Sequence, residues 1–147
     1  MQQIIIQIVG AFFAVYTAAM IFDAPRSTRL NCGVIAVLSW AIYLALKPSS
    51  TELAAIYCSA LFISLCAQVE ARRVKTPVTV ILLPSLFLLV PGVPLYRAIF
   101  YLLREQTTQS QDQMRLTFMT AGMIALAIFT ADFLVRFYYR LRRHRRV

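Results

Sequence analysis

Val90-Pro91-Gly92-Val93-Pro94-Leu95-Tyr96-Arg97 interrupts an apolar segment that runs from Pro77 to Leu103, and the reading of this stretch decides the fold. Proline has no N–H to donate and its ring collides with the preceding turn, so a helix entering the stretch breaks or kinks there. Pro91 frees the carbonyl of Phe87, Pro94 frees that of Val90, and Gly92 removes the side chain that would keep a neighbour at a distance. The position within the segment predicts a break at mid-membrane depth. Irregular backbone survives there only when buried in protein or facing a wet cavity. Pro77, Pro84 and Pro91 recur every seven residues, which places them on nearly one face of a continuous helix. After the break, Pro94 suits the first turn of a new half-helix reaching about Leu103.

Composition agrees with a segment built for lipid. Of 147 residues, 60% are hydrophobic and 14% charged, with a mean hydropathy of +0.69. That is too apolar for a soluble domain and reads as an all-α, polytopic membrane protein. The net charge is +9. The basic residues sit between apolar runs and at the C-terminal end, as membrane topology requires, so no nucleic-acid partner is expected. Cys32, Cys58 and Cys66 lie inside apolar runs without ligand spacing and read as small core residues. Met1-Gln2-Gln3 lacks the basic flank of a signal peptide, and the run after it has no clear cleavage site, so a retained span is expected.

One transmembrane domain of about five spans follows, over residues 4–22, 30–46, 53–70, 77–103 (broken near 91–94) and 116–139, with a basic tail at 140–147. Gly10, Ala14 and Ala18 form a small-residue stripe on the first span, and Ala60 and Ser64 a small pair on the third. Trp40 and Tyr43 read as interfacial aromatics near the end of the second. Ser50 or Thr51 is placed to cap the third span, with Glu52 in its first turn. Gln106 to Gln113 reads as a polar loop. Eleven Lys and Arg residues fall on the side of Arg26, Arg72 and the C-terminal tail. Four (Lys47, Arg97, Arg104 and Arg115) fall on the other. The basic side is cytoplasmic by the positive-inside rule, giving an N-terminus outside and a C-terminus inside, with the arginine tail and its His144 held against anionic lipid.

Pro77, Pro84 and the run Val90-Pro91-Gly92, followed by Tyr96, Arg97 and Ala98, resemble the threonine/serine exporter family, in particular the small subunit of its two-component form. The resemblance implies export of small polar metabolites across the bacterial inner membrane: threonine and serine, or dicarboxylates such as succinate. It also implies a hetero-oligomer with a larger membrane subunit that has a cytoplasmic N-terminal region and about five spans. A half that starts in the cytoplasm and crosses five times ends outside, where the charge count starts this chain. Oppositely oriented halves are a feature of inverted-repeat carriers.

The candidate substrate path is Pro91, Gly92, Pro94, Tyr96 and Arg97. Free N–H groups at the start of the half-helix and the positive end of its dipole would receive the carboxylate of an anionic or zwitterionic substrate. The alternative is a Pro-Gly kink that serves packing alone. Arg97, about 10 Å inside the outer interface, is placed for an anionic substrate, for a buried partner or for snorkelling. Tyr96 is placed to donate to a carboxylate or to sit as an interfacial aromatic. Asp132 is the acid well inside a span and so a candidate proton relay. With Thr117, Ala121 and Ala125 it falls on one helical face, looking inward, and an i,i+4 pair with Arg136 is the competing reading. No nucleophile set, metal-ligand cluster or phosphate loop occurs, so neither an enzyme nor a cofactor is expected, and transport energy would come from a gradient. A non-transporting scaffold and a homo-oligomeric channel are the other function classes that fit.

Overall fold

The computed structural model describes residues 2–144. Their regular structure is helical throughout: α1 (Gln2–Ile21), α2 (Arg26–Leu46), α3 (Glu52–Val74), α4 (Val78–Leu86), α5 (Gly92–Leu103) and α6 (Thr107–His144). Three helices, Arg26–Leu46, Glu52–Val74 and Thr107–Leu141, are long and apolar enough to cross a membrane, while Ile5–Ile21 and Gly92–Leu103 are apolar but shorter.

Local chemistry explains the boundaries. Of the two capping candidates it is Thr51 whose Oγ1 accepts from the Ala54 N–H at 3.3 Å, with Glu52 beside it in the first turn. Helix α3 continues past residue 70 because Ala71, Arg72 and Arg73 are sound helix formers. It stops where Lys75 turns left-handed (φ 57°) and the Thr76 N–H closes on the Ala71 carbonyl at 2.9 Å. Asp23 and Glu105 make the same left-handed exit after α1 and α5. The expected loop from Gln106 to Gln113 is instead the start of α6: the stretch lacks Gly and Pro, and the Gln106 carbonyl already accepts from the Ser110 N–H at 3.0 Å. Residues 140–144 of the expected tail extend α6, and 145–147 lie outside the described residues.

The shortest helix has as many neighbours as any other. α4 packs on α1, α2 and α3; α6 lies along α3 and α5; and α5 touches α6 alone. Small side chains let these backbones approach. Cys32, Ala36, Ala55, Ala60, Ala67, Ala127 and Ala131 are fully buried, whereas Phe118 and Phe129 are 71% and 74% exposed. Small residues inside and large apolar ones outside is the arrangement of a bundle whose solvent is hydrocarbon. Buried hydroxyls turn back on their own helices: Ser64 Oγ donates to the Ala60 carbonyl and Ser85 Oγ to the Ile81 carbonyl, both at 2.7 Å.

The stripes are only partly where periodicity put them. Ala60 and Ser64 are buried as a pair. On α1, Ala18 is buried but Gly10 is exposed, the inward face being Ala11, Val15, Ala18 and Ala19. On α6, Ala121 and Ala125 face outward, and the buried line is Thr117, Thr120, Ile124, Ala127 and Ala131. α6 therefore packs on a face rotated from the one that the alanine spacing suggests, and Asp132 sits at its edge.

Gly33 is the tightest point between α1 and α2, because a Cβ there would lie 2.7 Å from the ring of Phe12. Overpacking of this kind costs about 1–3 kcal/mol. Gly33→Leu is therefore expected to lower the thermal stability of the detergent-solubilised protein. Adding Phe12→Ala should return most of the loss, and no rescue in the double variant would contradict the contact.

Candidate functional site

Between Leu86 and Gly92 the chain leaves the helical ladder. The Phe87 and Leu89 N–H groups make tight bonds to the carbonyls of Pro84 (3.2 Å) and Leu86 (2.8 Å). Pro91 (φ −77°, ψ 57°) then forms an inverse γ-turn closed by the Gly92 N–H on the Val90 carbonyl at 2.8 Å. The Val90 carbonyl, freed by Pro94, is thus taken by Gly92. Leu95 N–H bonds the Pro91 carbonyl at 3.2 Å and Pro94 has no N–H, so the first turn of α5 keeps one unclaimed backbone donor among the described residues, that of Val93. An anion site built from several free N–H groups is not present there.

The break also lies elsewhere in the bundle than its place in the sequence suggests. It borders the turn between α2 and α3, at the end of those helices and not halfway along them.

A cavity of about 270 Å³ opens at this point. Trp40 and Tyr43 of α2, Glu52 and Ile56 of α3, and Leu116 and Thr120 of α6 form its walls. Leu88 to Pro91 and then Val93 and Pro94 close it from the break. The Trp40 and Tyr43 rings stack with centroids 5.0 Å apart. Tyr43 Oη donates to Glu52 Oε1 at 3.0 Å, while the buried Trp40 Nε1–H has no partner among the described residues. Lys47 Nζ, whose residue does not line the cavity, lies 5.5 Å from the Tyr43 ring centroid.

Of the sequence candidates, Pro91 and Pro94 line this cavity and Gly92, Tyr96 and Arg97 do not. Gly92 is exposed, and a Cβ placed there meets nothing within 4 Å. Tyr96 is 67% exposed and stacks on Phe100 with centroids 6.2 Å apart. Arg97 is exposed as well. Sequence reasoning missed Trp40, Tyr43 and Glu52 as cavity walls. The available signal was two aromatics one helical turn apart, followed across a short turn by an acid.

Asp132 belongs to a different place. α3 and α6 run side by side in the same direction: Glu52 and Ile56 share the cavity with Leu116 and Thr120, and further along Gln68 Nε2 donates to Asp132 Oδ1 at 3.1 Å. Asp132 Oδ2 pairs with Arg136 Nε at 2.6 Å, the i,i+4 partner. Arg72 donates to Gln68 Oε1 at 3.2 Å and stacks over the Tyr139 ring. Both carboxylate oxygens are engaged, and the cluster ties α3 to α6 at the end away from the cavity. Between α2 and α3 a second, more open crevice of about 540 Å³ holds Glu70, which accepts from Asn31 Nδ2. No cluster of three or more metal-ligating side chains occurs among the described residues.

A family model described as threonine/serine exporter, ThrE, matches residues 7–134. No curated protein and no solved structure matches the chain.

The two faces of the Asp132 cluster are separable by substitution. The Arg136 pair is exposed, so Asp132→Asn, which can still accept from Gln68, is expected to change stability by less than about 1 kcal/mol. Asp132→Leu strands the buried Gln68 amide and is expected to cost about 1–3 kcal/mol. Thermal unfolding in detergent ranks the two, and equal losses would contradict the bond to Gln68.

Proposed function

The chain belongs to the threonine/serine exporter family, a family of membrane transporters, and on that premise we propose that it is a subunit of a secondary transporter that moves small polar metabolites out across the bacterial inner membrane. The observation that carries the reading is the cavity at the break between α4 and α5, whose walls come from four helices and the turn itself. Threonine and serine are the favoured substrates, as the family description supports; dicarboxylates such as succinate are the second choice. In this reading the chain crosses the membrane five times with α4 and α5 forming one interrupted crossing, its N-terminus outside and its basic C-terminus in the cytoplasm.

The proposed partner is a larger membrane subunit of the same system. α5 supports that view, because it packs on α6 alone and leaves Val93, Tyr96, Ile99, Leu102 and Leu103 exposed. Such a face needs lipid or protein against it. Gly92, Tyr96 and Arg97 then lie where a second subunit would complete the path beyond Pro91 and Pro94. Asp132 is the proposed proton carrier, with release of its hold on Gln68 and Arg136 as the step that frees α3 from α6 at the cytoplasmic end.

Deletion of this chain, of the larger subunit and of both should each abolish threonine and serine efflux from preloaded cells to the same extent. Efflux that persists without this chain would favour a scaffold, and efflux from this chain alone a homo-oligomer. Within the same assay Gly92→Leu is expected to insert normally, since the chain has room for the side chain, yet to lose efflux. Asp132→Asn is expected to remove its dependence on the proton gradient, and unchanged dependence would leave Asp132 a structural tie.

A further inference from the structure

We propose that Glu52, backed by the Trp40 and Tyr43 rings, is the subsite that receives the ammonium group of the transported molecule and so selects amino acids over dicarboxylates. This deepens the transporter reading and rests on it. Glu52 is the one charged side chain among those lining the cavity, and it is an acid. A dicarboxylate entering here meets like charge on a lining without guanidinium or lysine ammonium, the nearby Lys47 being set against the Tyr43 ring. Arg97, the cation nearest the break in sequence, is exposed on α5 outside the cavity.

The wall chemistry is that of a cation site. A carboxylate with Tyr43 Oη on one oxygen keeps its other oxygen for an incoming N–H. The Trp40 and Tyr43 rings stack on each other beside it and form the aromatic wall of the cavity. The chain itself places a cation by this wall, the Lys47 ammonium lying 5.5 Å from the Tyr43 ring centroid. The buried Trp40 Nε1–H on the same wall is left without a partner among the described residues. A first-turn acid is also what a helix N-terminus favours for its own sake. That role accounts for a carboxylate at residue 52, but not for an unpartnered indole beside it.

Trp40 is the single tryptophan of the chain, so its emission reports on this cavity directly. In full-length protein reconstituted in lipid nanodiscs, threonine and ethanolamine are expected to change Trp40 fluorescence saturably, while N-acetylthreonine and succinate do not. Glu52→Gln is expected to weaken threonine binding by about tenfold or more, with helix content and monodispersity unchanged. Equal responses to threonine and N-acetylthreonine in the wild type, a comparison that needs no variant, would overturn the subsite; so would wild-type affinity in Glu52→Gln. The transport reading fails separately. A Glu52-dependent fluorescence response with no efflux in cells keeps the subsite and removes the exporter, whereas threonine efflux that Glu52→Gln leaves intact keeps the exporter and removes the subsite.

Discussion

Every backbone N–H and C=O that leaves a helix within an apolar bundle must be answered close by, and the structure depends on how this is done around α4. Inside the bundle Pro84 is fully buried and has no N–H to give the helix. Pro84 frees the Val80 carbonyl, and one residue on, the Ile81 carbonyl accepts from the Ser85 hydroxyl and, from α2, the Cys32 thiol, so the helix runs through the proline with polar atoms packed beside it. At the end of the bundle Pro91 is handled differently, with the chain folding on itself through a γ-turn before helix resumes at Gly92. One proline is absorbed by neighbours, the other ends the helix, and the cavity forms beside the second.

Side-chain size explains why the cavity is where it is. Along most of their length α2, α3 and α4 meet through Cys32, Ala36, Ala60, Ser64 and Ser85, which bring the backbones close. Near the turn between α2 and α3 the residues become Trp40, Tyr43 and Glu52, and the same helices are held apart. α3 and α6 repeat the contrast along one pair of helices. They share cavity walls at Glu52 and Thr120, and are fastened by Gln68 and Asp132 at the far end.

Much of this was legible in the residues because it follows from local rules. The Thr51 cap, the buried Ala60–Ser64 pair and the Asp132–Arg136 ion pair each need only spacing and side-chain type. What spacing leaves open is rotation and depth. Thr117, Ala121 and Ala125 share a face by periodicity, yet α6 buries Thr120, Ile124 and Ala127 next to it, because the choice is made by α3 and not by α6. The level of Pro91 depends on how α4 is threaded among three neighbours, which no count along the chain supplies. Taken along the chain, Trp40 and Tyr43 mark an interface and Glu52 partners a helix dipole. Each reading fits its residue alone, and only the fold brings the three together.

α6 is a single helix of 38 residues. At ~1.5 Å per residue it measures about 57 Å against a hydrocarbon layer of about 30 Å. Even a tilt of about 40° cannot submerge such a rod, so a layer that it crosses leaves at least one of its ends outside. Its first turns, where Ser110 Oγ holds the Ala98 carbonyl at 2.8 Å, are continuous with the turns that carry Arg136 and Arg140 at the other end. A displacement of α5 at one end of this rod would reach the other as the movement of a strut, with no break in the helix to dissipate it.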